Sequence, residues 1–150
     1  MELRIDPNRA EQKGDSTATR KSTILVVDDN DCNLKLVSYL LEFDGYHVLT
    51  AMTAAQAEAI LEHSSPGLIL MDIRLPGMDG LTLTRKLKTD DRTSHIIIVA
   101  LTASAMKGDE LRAQAAGCDG YLTKPIDTRK LTSQIAGFLQ RGTGKKQSLQ

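Results

Sequence analysis

Five short apolar runs punctuate residues 23–140, and the stretches between them change period. The runs are ILVV (24–27), YHVLTA (46–51), GLILM (67–71), HIIIVAL (95–101) and the brief DGYLT (119–123). Several are apolar on consecutive residues rather than on every second one, the pattern of strands buried on both faces. Between them the apolar positions recur at helical spacing. Leu34, Val37 and Leu41 share a face behind the capping candidates Asn30 and Asp31, and Ala57, Ile60 and Leu61 follow Thr53. Leu83 and Leu87 follow Asp79–Gly80, and Leu131, Ile135 and Phe138 follow Asp127 as N-cap. Residues 104–116 predict a weaker helix, interrupted by Gly108 and ended by Gly117. The order is β-α five times over. Linkers this short demand right-handed crossovers and a parallel sheet covered on both faces.

The flanks lack this order. Residues 1–22 mix both charge signs with Pro7, Gly14 and several Ser/Thr, and read as a disordered N-terminal tail. Residues 141–150, RGTGKKQSLQ, read as a flexible C-terminal tail. The whole chain, 150 residues with zero formal net charge, suits one domain. Of 19 basic and 19 acidic residues, the first 22 positions hold five and four, and the last ten hold three and none. That leaves 11 and 15 for 23–140, a net charge of −4, which argues against nucleic acid as a partner. No apolar stretch approaches a membrane span, and the N-terminus lacks the apolar region of a secretory signal. Cys32 and Cys118 fit no C-x-x-C pattern and read as two partly buried reduced thiols. The expected location is cytoplasmic.

In an open parallel sheet, ligands collect at the carboxyl ends of the strands, where strand order reverses. Asp28 and Asp29 follow the first run, Asp72 the third, Thr102 the fourth and Lys124 the fifth. Carboxylates crowded at the end of a buried run repel one another, and desolvation adds to the cost of keeping them ionised. Either water solvates them at the surface, or something positive belongs between them. Two other readings of DDNDCN compete. As an EF-hand loop, Asp29, Asp31 and Asn33 fit the first ligand positions, but Leu34 stands where Gly is needed and Leu40 where Glu is needed. As the D-x-D of a haloacid-dehalogenase-type phosphatase, Asp29 and Asp31 would work with Thr102 and Lys124; this remains the minor alternative. G-x-G-x-x-G, P-loop, H-E-x-x-H and G-x-S-x-G patterns are absent, and His47, His63 and His95 are scattered.

The words LVVDDN, LILMDIRLPGMDGL, VALTASAM and GYLTKPID, in this order, resemble the receiver domain of two-component response regulators. The resemblance spans 23 to about 140, and GCDGYLTKPID is similar to stand-alone cell-cycle regulators and hybrid-kinase receivers. It implies the flavodoxin-like (βα)5 fold, a doubly wound parallel five-stranded sheet of order 2-1-3-4-5. It implies Asp72 as phosphoryl acceptor, a carboxylate nucleophile that yields an acyl phosphate. It further implies Mg²⁺ held by Asp28, Asp29, Asp72 and the backbone carbonyl of Arg74. Lys124 would contact the phosphoryl group before a cis bond to Pro125. Thr102 and Tyr121 would be the switch pair, and Arg74 and Ser104 would tune phosphoryl lifetime.

The implied partners are a histidine kinase or a histidine phosphotransfer protein, and a downstream protein docking on the face built from residues 103–139. Ten residues after Gln140 are too few for a helix-turn-helix module, so signalling by protein contact is expected. Whether the domain acts as a switch or as a phosphorelay intermediate stays open. It is expected to be no enzyme, though it assists its own phosphorylation and dephosphorylation.

Overall fold

The computed structural model describes residues 22–103 and 107–148. Most of both expected tails, and Ser104, lie outside the described residues or their described side chains. The elements run β1 (Thr23–Val27), α1 (Asp31–Phe43), β2 (His47–Ala51), α2 (Ala54–Leu61), β3 (Leu68–Asp72), α3 (Gly80–Thr89), β4 (Ile97–Thr102), α4 (Lys107–Ala116), β5 (Gly120–Thr123) and α5 (Leu131–Ser148). All strand pairs are parallel, and the sheet order is β2-β1-β3-β4-β5. The expected flavodoxin-like arrangement is therefore the observed one.

Side chains alternate across each strand, so every consecutive apolar run divides between two layers. Ile24, Val26, Leu68, Leu70, Val99 and Leu101 face α1 and α5, where Leu34, Val37, Leu41, Leu131 and Ile135 are buried. Leu25, Val27, Ile69, Met71 and Ile98 face α2 and α3, and Ala100 meets Ala113 and Ala116 of α4. Each fully buried aliphatic side chain contributes ~1.5–3 kcal/mol of transfer free energy. A polar residue within such a run would therefore stand out energetically, and in the central strands β1, β3 and β4 polar residues appear only at the ends.

Caps end the helices as the sequence signals. Asn30 accepts a hydrogen bond from the Asn33 N–H at 2.9 Å, Thr53 from Gln56 at 3.1 Å and Asp79 from Thr82 at 2.8 Å. Asp31 is thus the first residue of α1 rather than its cap. Asp127 does not cap α5 directly. Its side chain accepts from the Arg129 N–H, and its carbonyl holds a turn that feeds Leu131. At the C-terminal end, α5 runs on through Ser148, past residue 140. Gly142 and Gly144 cost about 1 kcal/mol each in a helix, which weakens it without forbidding it.

The thiols differ from expectation in one respect. Cys32 is exposed on the outer side of α1, whereas Cys118 is partly buried. Burial pushes the Cys118 thiol up to about 11. A maleimide at neutral pH is expected to label Cys32 first and Cys118 only on unfolding, as peptide mapping of the labelled chain would show.

Candidate functional site

Parallel register brings the polar residues together. Val27 pairs with Met71, so Asp28 comes level with Asp72, the last residue of β3. Asp72 pairs with Leu101, one residue short of Thr102, and Thr102 pairs with Thr123, the residue before Lys124. The Lys124 N–H donates to the Thr102 carbonyl at 2.7 Å. Strand order reverses between β1 and β3, so this edge lies at the topological switch point.

The carboxylates of Asp28, Asp29 and Asp72 offer oxygens that all lie within 4.8 Å of one another. Asp28 is fully buried and Asp72 is 3% exposed, while Asp29 faces solvent. Lys124 reaches in from β5, with Nζ 3.0 Å from Asp72 Oδ2 and 3.5 Å from Asp28 Oδ2. Its peptide bond to Pro125 is cis. Burial pushes the Asp72 carboxyl above the usual carboxylate range and Asp28 adds to the rise, against the opposing pull of the Arg74 N–H and of Lys124. Burial works against the Lys124 charge, but the Asp72 and Asp28 carboxylates outweigh it and raise its pKa.

Backbone and amide donors fix the two buried carboxylates. The Arg74 N–H donates to Asp72 Oδ1 at 3.0 Å, and the Asn30 N–H to Asp28 Oδ1 at 2.9 Å. The Asn33 side-chain amide donates to Asp28 Oδ2. Asn30 caps α1 as the sequence signals and its N–H also holds Asp28, while Asn33, which the sequence offered as part of a calcium decoy, orients Asp28 through its amide. The available signal was their place in the first turn of a helix that follows an acidic strand end.

Other expected residues lie farther out. Thr102 is buried at the end of β4, beside the acidic cluster. Arg74 is exposed in the β3–α3 loop. Tyr121 does not join the cluster. Its ring packs partly buried against the group that includes Ile73, Ala100 and Ala113, and a hydrogen bond with Glu110 raises its pKa. Asp31 pairs with Lys35 of its own helix at 3.1 Å and stands outside the three-carboxylate group. The D-x-D phosphatase reading thus loses its second carboxylate.

The donor set fits a hard divalent cation. Three carboxylates converge, two of them out of water, against one partly exposed ammonium, and an all-oxygen set suits Mg²⁺. Protonation removes a ligand, so Mg²⁺ affinity is expected to fall as pH drops through the raised Asp72 pKa. The fall should begin at a higher pH than an ordinary aspartate would give. Calorimetric Mg²⁺ titrations across the acidic range would show it. The same shift has the opposite sign for the metal-free fold. Its contribution is fully present below the unfolded pKa and disappears as pH rises through the folded one.

Gly80, the first residue of α3, packs directly under this site. A Cβ there would lie 2.2 Å from the Asp72 carbonyl oxygen and 2.8 Å from the Ile73 Cα. Backbone cannot swing aside as a side chain can. Gly80→Ala is therefore expected to destabilise the protein by about 3 kcal/mol, read as a lower urea midpoint.

A doubly wound parallel α/β domain with an acidic crevice at its switch point is a class with many members. The profile of the response regulator receiver domain matches residues 24–136, and the chain belongs to that family. It is 40% identical over 117 residues to the polar-differentiation response regulator DivK of Brucella anthropi, covering 78% of this chain and 95% of that protein. Among solved structures, a putative response regulator from Chloroflexus aurantiacus has a TM-score of 0.77 at 28% identity, covering 81% of this chain and 99% of that one. A CheY-like receiver domain protein from Methanospirillum hungatei has a TM-score of 0.75 at 32% identity, covering 82% and 97%. Among the described residues, no helix is long and apolar enough to cross a membrane.

Proposed function

We propose that this receiver accepts a phosphoryl group on Asp72 from a histidine kinase or histidine phosphotransfer protein and signals through protein contact. The observation that carries this reading is the Asp28–Asp29–Asp72 cluster with Lys124 held 3.0 Å from Asp72. Asp72 Oδ1 is anchored by the Arg74 N–H, which fixes the carboxylate's orientation. One of its oxygens attacks phosphorus, the bond to the donor nitrogen breaks, and an acyl phosphate forms. Bound Mg²⁺, held by Asp28, Asp29, Asp72 and the Arg74 carbonyl, would supply charge neutralisation. Lys124 moves its hydrogen bond from the carboxylate to a phosphoryl oxygen, and the Thr102 hydroxyl donates to another. A cleft of about 450 Å³ beside Lys124, lined by Asn33, Leu36, Ala103 and Pro125, leaves the site open to a donor protein.

Charge arriving at Asp72 biases residues that couple the site to the 103–139 face. Tyr121 is suited to this role because it is half-exposed and bound to Glu110 of α4. A cleft of about 650 Å³ between α4, β5 and α5, walled by Gln114, Tyr121, Phe138 and Arg141, is the docking surface this predicts. NMR in beryllofluoride and Mg²⁺ tests the coupling. Shifts should change at Thr102, Tyr121 and across α4, and an unchanged face would refute the output route. The phosphoryl half-time then separates a switch, which holds the group, from a relay, which returns it to histidine.

A further inference from the structure

The core of α1 is met by Leu34, Val37 and Leu41, yet its opposite crest is also apolar. Cys32, Leu36, Tyr39 and Phe43 recur there at spacings of four, three and four, the seam of a two-helix coiled coil. Leu36 is 41% exposed, Tyr39 66% and Phe43 84%, and the last two rings stack with centroids 6.3 Å apart. Nothing among the described residues covers this stripe, and a helix needs apolar residues on its core face alone to fold onto a sheet.

Flanking charges choose the occupant. Lys35 and Glu42 lie one turn-pair apart on the same side of the stripe, with opposite signs. An antiparallel two-fold pairing of α1 with a second α1 sets Leu36 against Tyr39 and Cys32 against Phe43. It then places Lys35 of each copy beside Glu42 of the other, twice by symmetry. Parallel pairing offers Lys35 no acid of the other helix. Lys35 already contacts Asp31 of its own helix at 3.1 Å, so the electrostatic gain is modest and acts mainly on orientation.

We propose that the outer crest of α1 binds a second copy of this chain as an antiparallel, two-fold α1–α1 dimer. One helix of 13 residues per copy gives an interface at the small end of the specific range, so the dimer is weak and concentration-dependent. Cys32 and Leu36 also line the cleft beside Lys124 that the proposed function leaves open to a donor protein, so a second copy and a donor compete for this end of α1, while the dimer itself requires no phosphoryl transfer.

Sedimentation velocity over a ~100-fold concentration range reaching millimolar protein tests it. The wild type should shift from monomer toward dimer. Phe43→Glu should weaken association by ~100-fold, as loss of an aromatic anchor does. Lys35→Glu should weaken it less, and Lys35→Glu combined with Glu42→Lys should restore it. The substituted positions are exposed, so helical circular dichroism and thermal midpoints should stay at wild-type values, confirming that each variant is folded. A monomer at every concentration overturns the proposal. So does a dimer indifferent to Phe43→Glu, or a charge swap that fails to restore association.

Discussion

Asp72→Asn is expected to remain folded and to lose essentially all phosphoryl uptake from acetyl phosphate and Mg²⁺, a drop of at least ~1,000-fold in rate. The amide is close to isosteric and keeps an oxygen that can accept the Arg74 N–H seen at 3.0 Å. Its nitrogen can face Lys124 only by repelling the ammonium, so that side chain shifts toward Asp28, now 3.5 Å away. An amide is no nucleophile toward phosphorus at neutral pH, and the reaction has no other carboxylate in the same orientation. Asp28 is fully buried and already accepts from Asn30 and Asn33, while Asp29 is exposed. The substitution also removes a buried charge whose pKa burial raises, so metal-free stability at neutral pH should hold or rise. Intact mass gives the uptake, and urea unfolding gives the stability.

Lys124→Met is expected to lower metal-free stability by ~2 kcal/mol at neutral pH, because it leaves Asp28 and Asp72 facing each other without the Lys124 ammonium. Two further responses separate this account from a simple packing defect. The loss should shrink as pH falls and Asp72 takes up its proton at its raised pKa. It should also shrink on adding Mg²⁺, which is expected to bind the variant more tightly than the wild type because the competing ammonium is gone. Phosphoryl uptake should nevertheless fall well below wild type, since a thioether cannot make the contact to the transferring group that we propose for Lys124. A variant that Mg²⁺ does not rescue would place Lys124 in packing alone.

The strands were legible because every central one is buried on both faces, and only continuous apolar runs satisfy that demand. The acidic cluster was legible for a related reason, since charges that end such runs must meet at one sheet edge. Element ends were harder. Asp127 looks like the cap of α5 but holds the preceding turn, and α5 runs beyond 140 despite Gly142 and Gly144. Single-residue signals do not show how much helix a domain will support from behind. The roles of Asn33 and Gly80 were not legible because they depend on register across elements. One reaches a carboxylate five residues back, and the other needs a missing Cβ where α3 crosses the end of β3. Tyr121 was placed by family pattern in a switch, and only its neighbours, Glu110 and the α4 packing group, show which surface it touches.

The chemistry proposed for Asp72 leaves a readable mark. Borohydride reduces an acyl phosphate to an alcohol, which turns a phosphorylated aspartate into homoserine. After incubation with acetyl phosphate, the reduced protein is digested and position 72 is sequenced by mass spectrometry. Homoserine at 72, formed with Mg²⁺ and lost with a chelator, is the predicted result. Aspartate persisting at 72 while the phosphoryl group sits elsewhere, or equal yield without the metal, would contradict it.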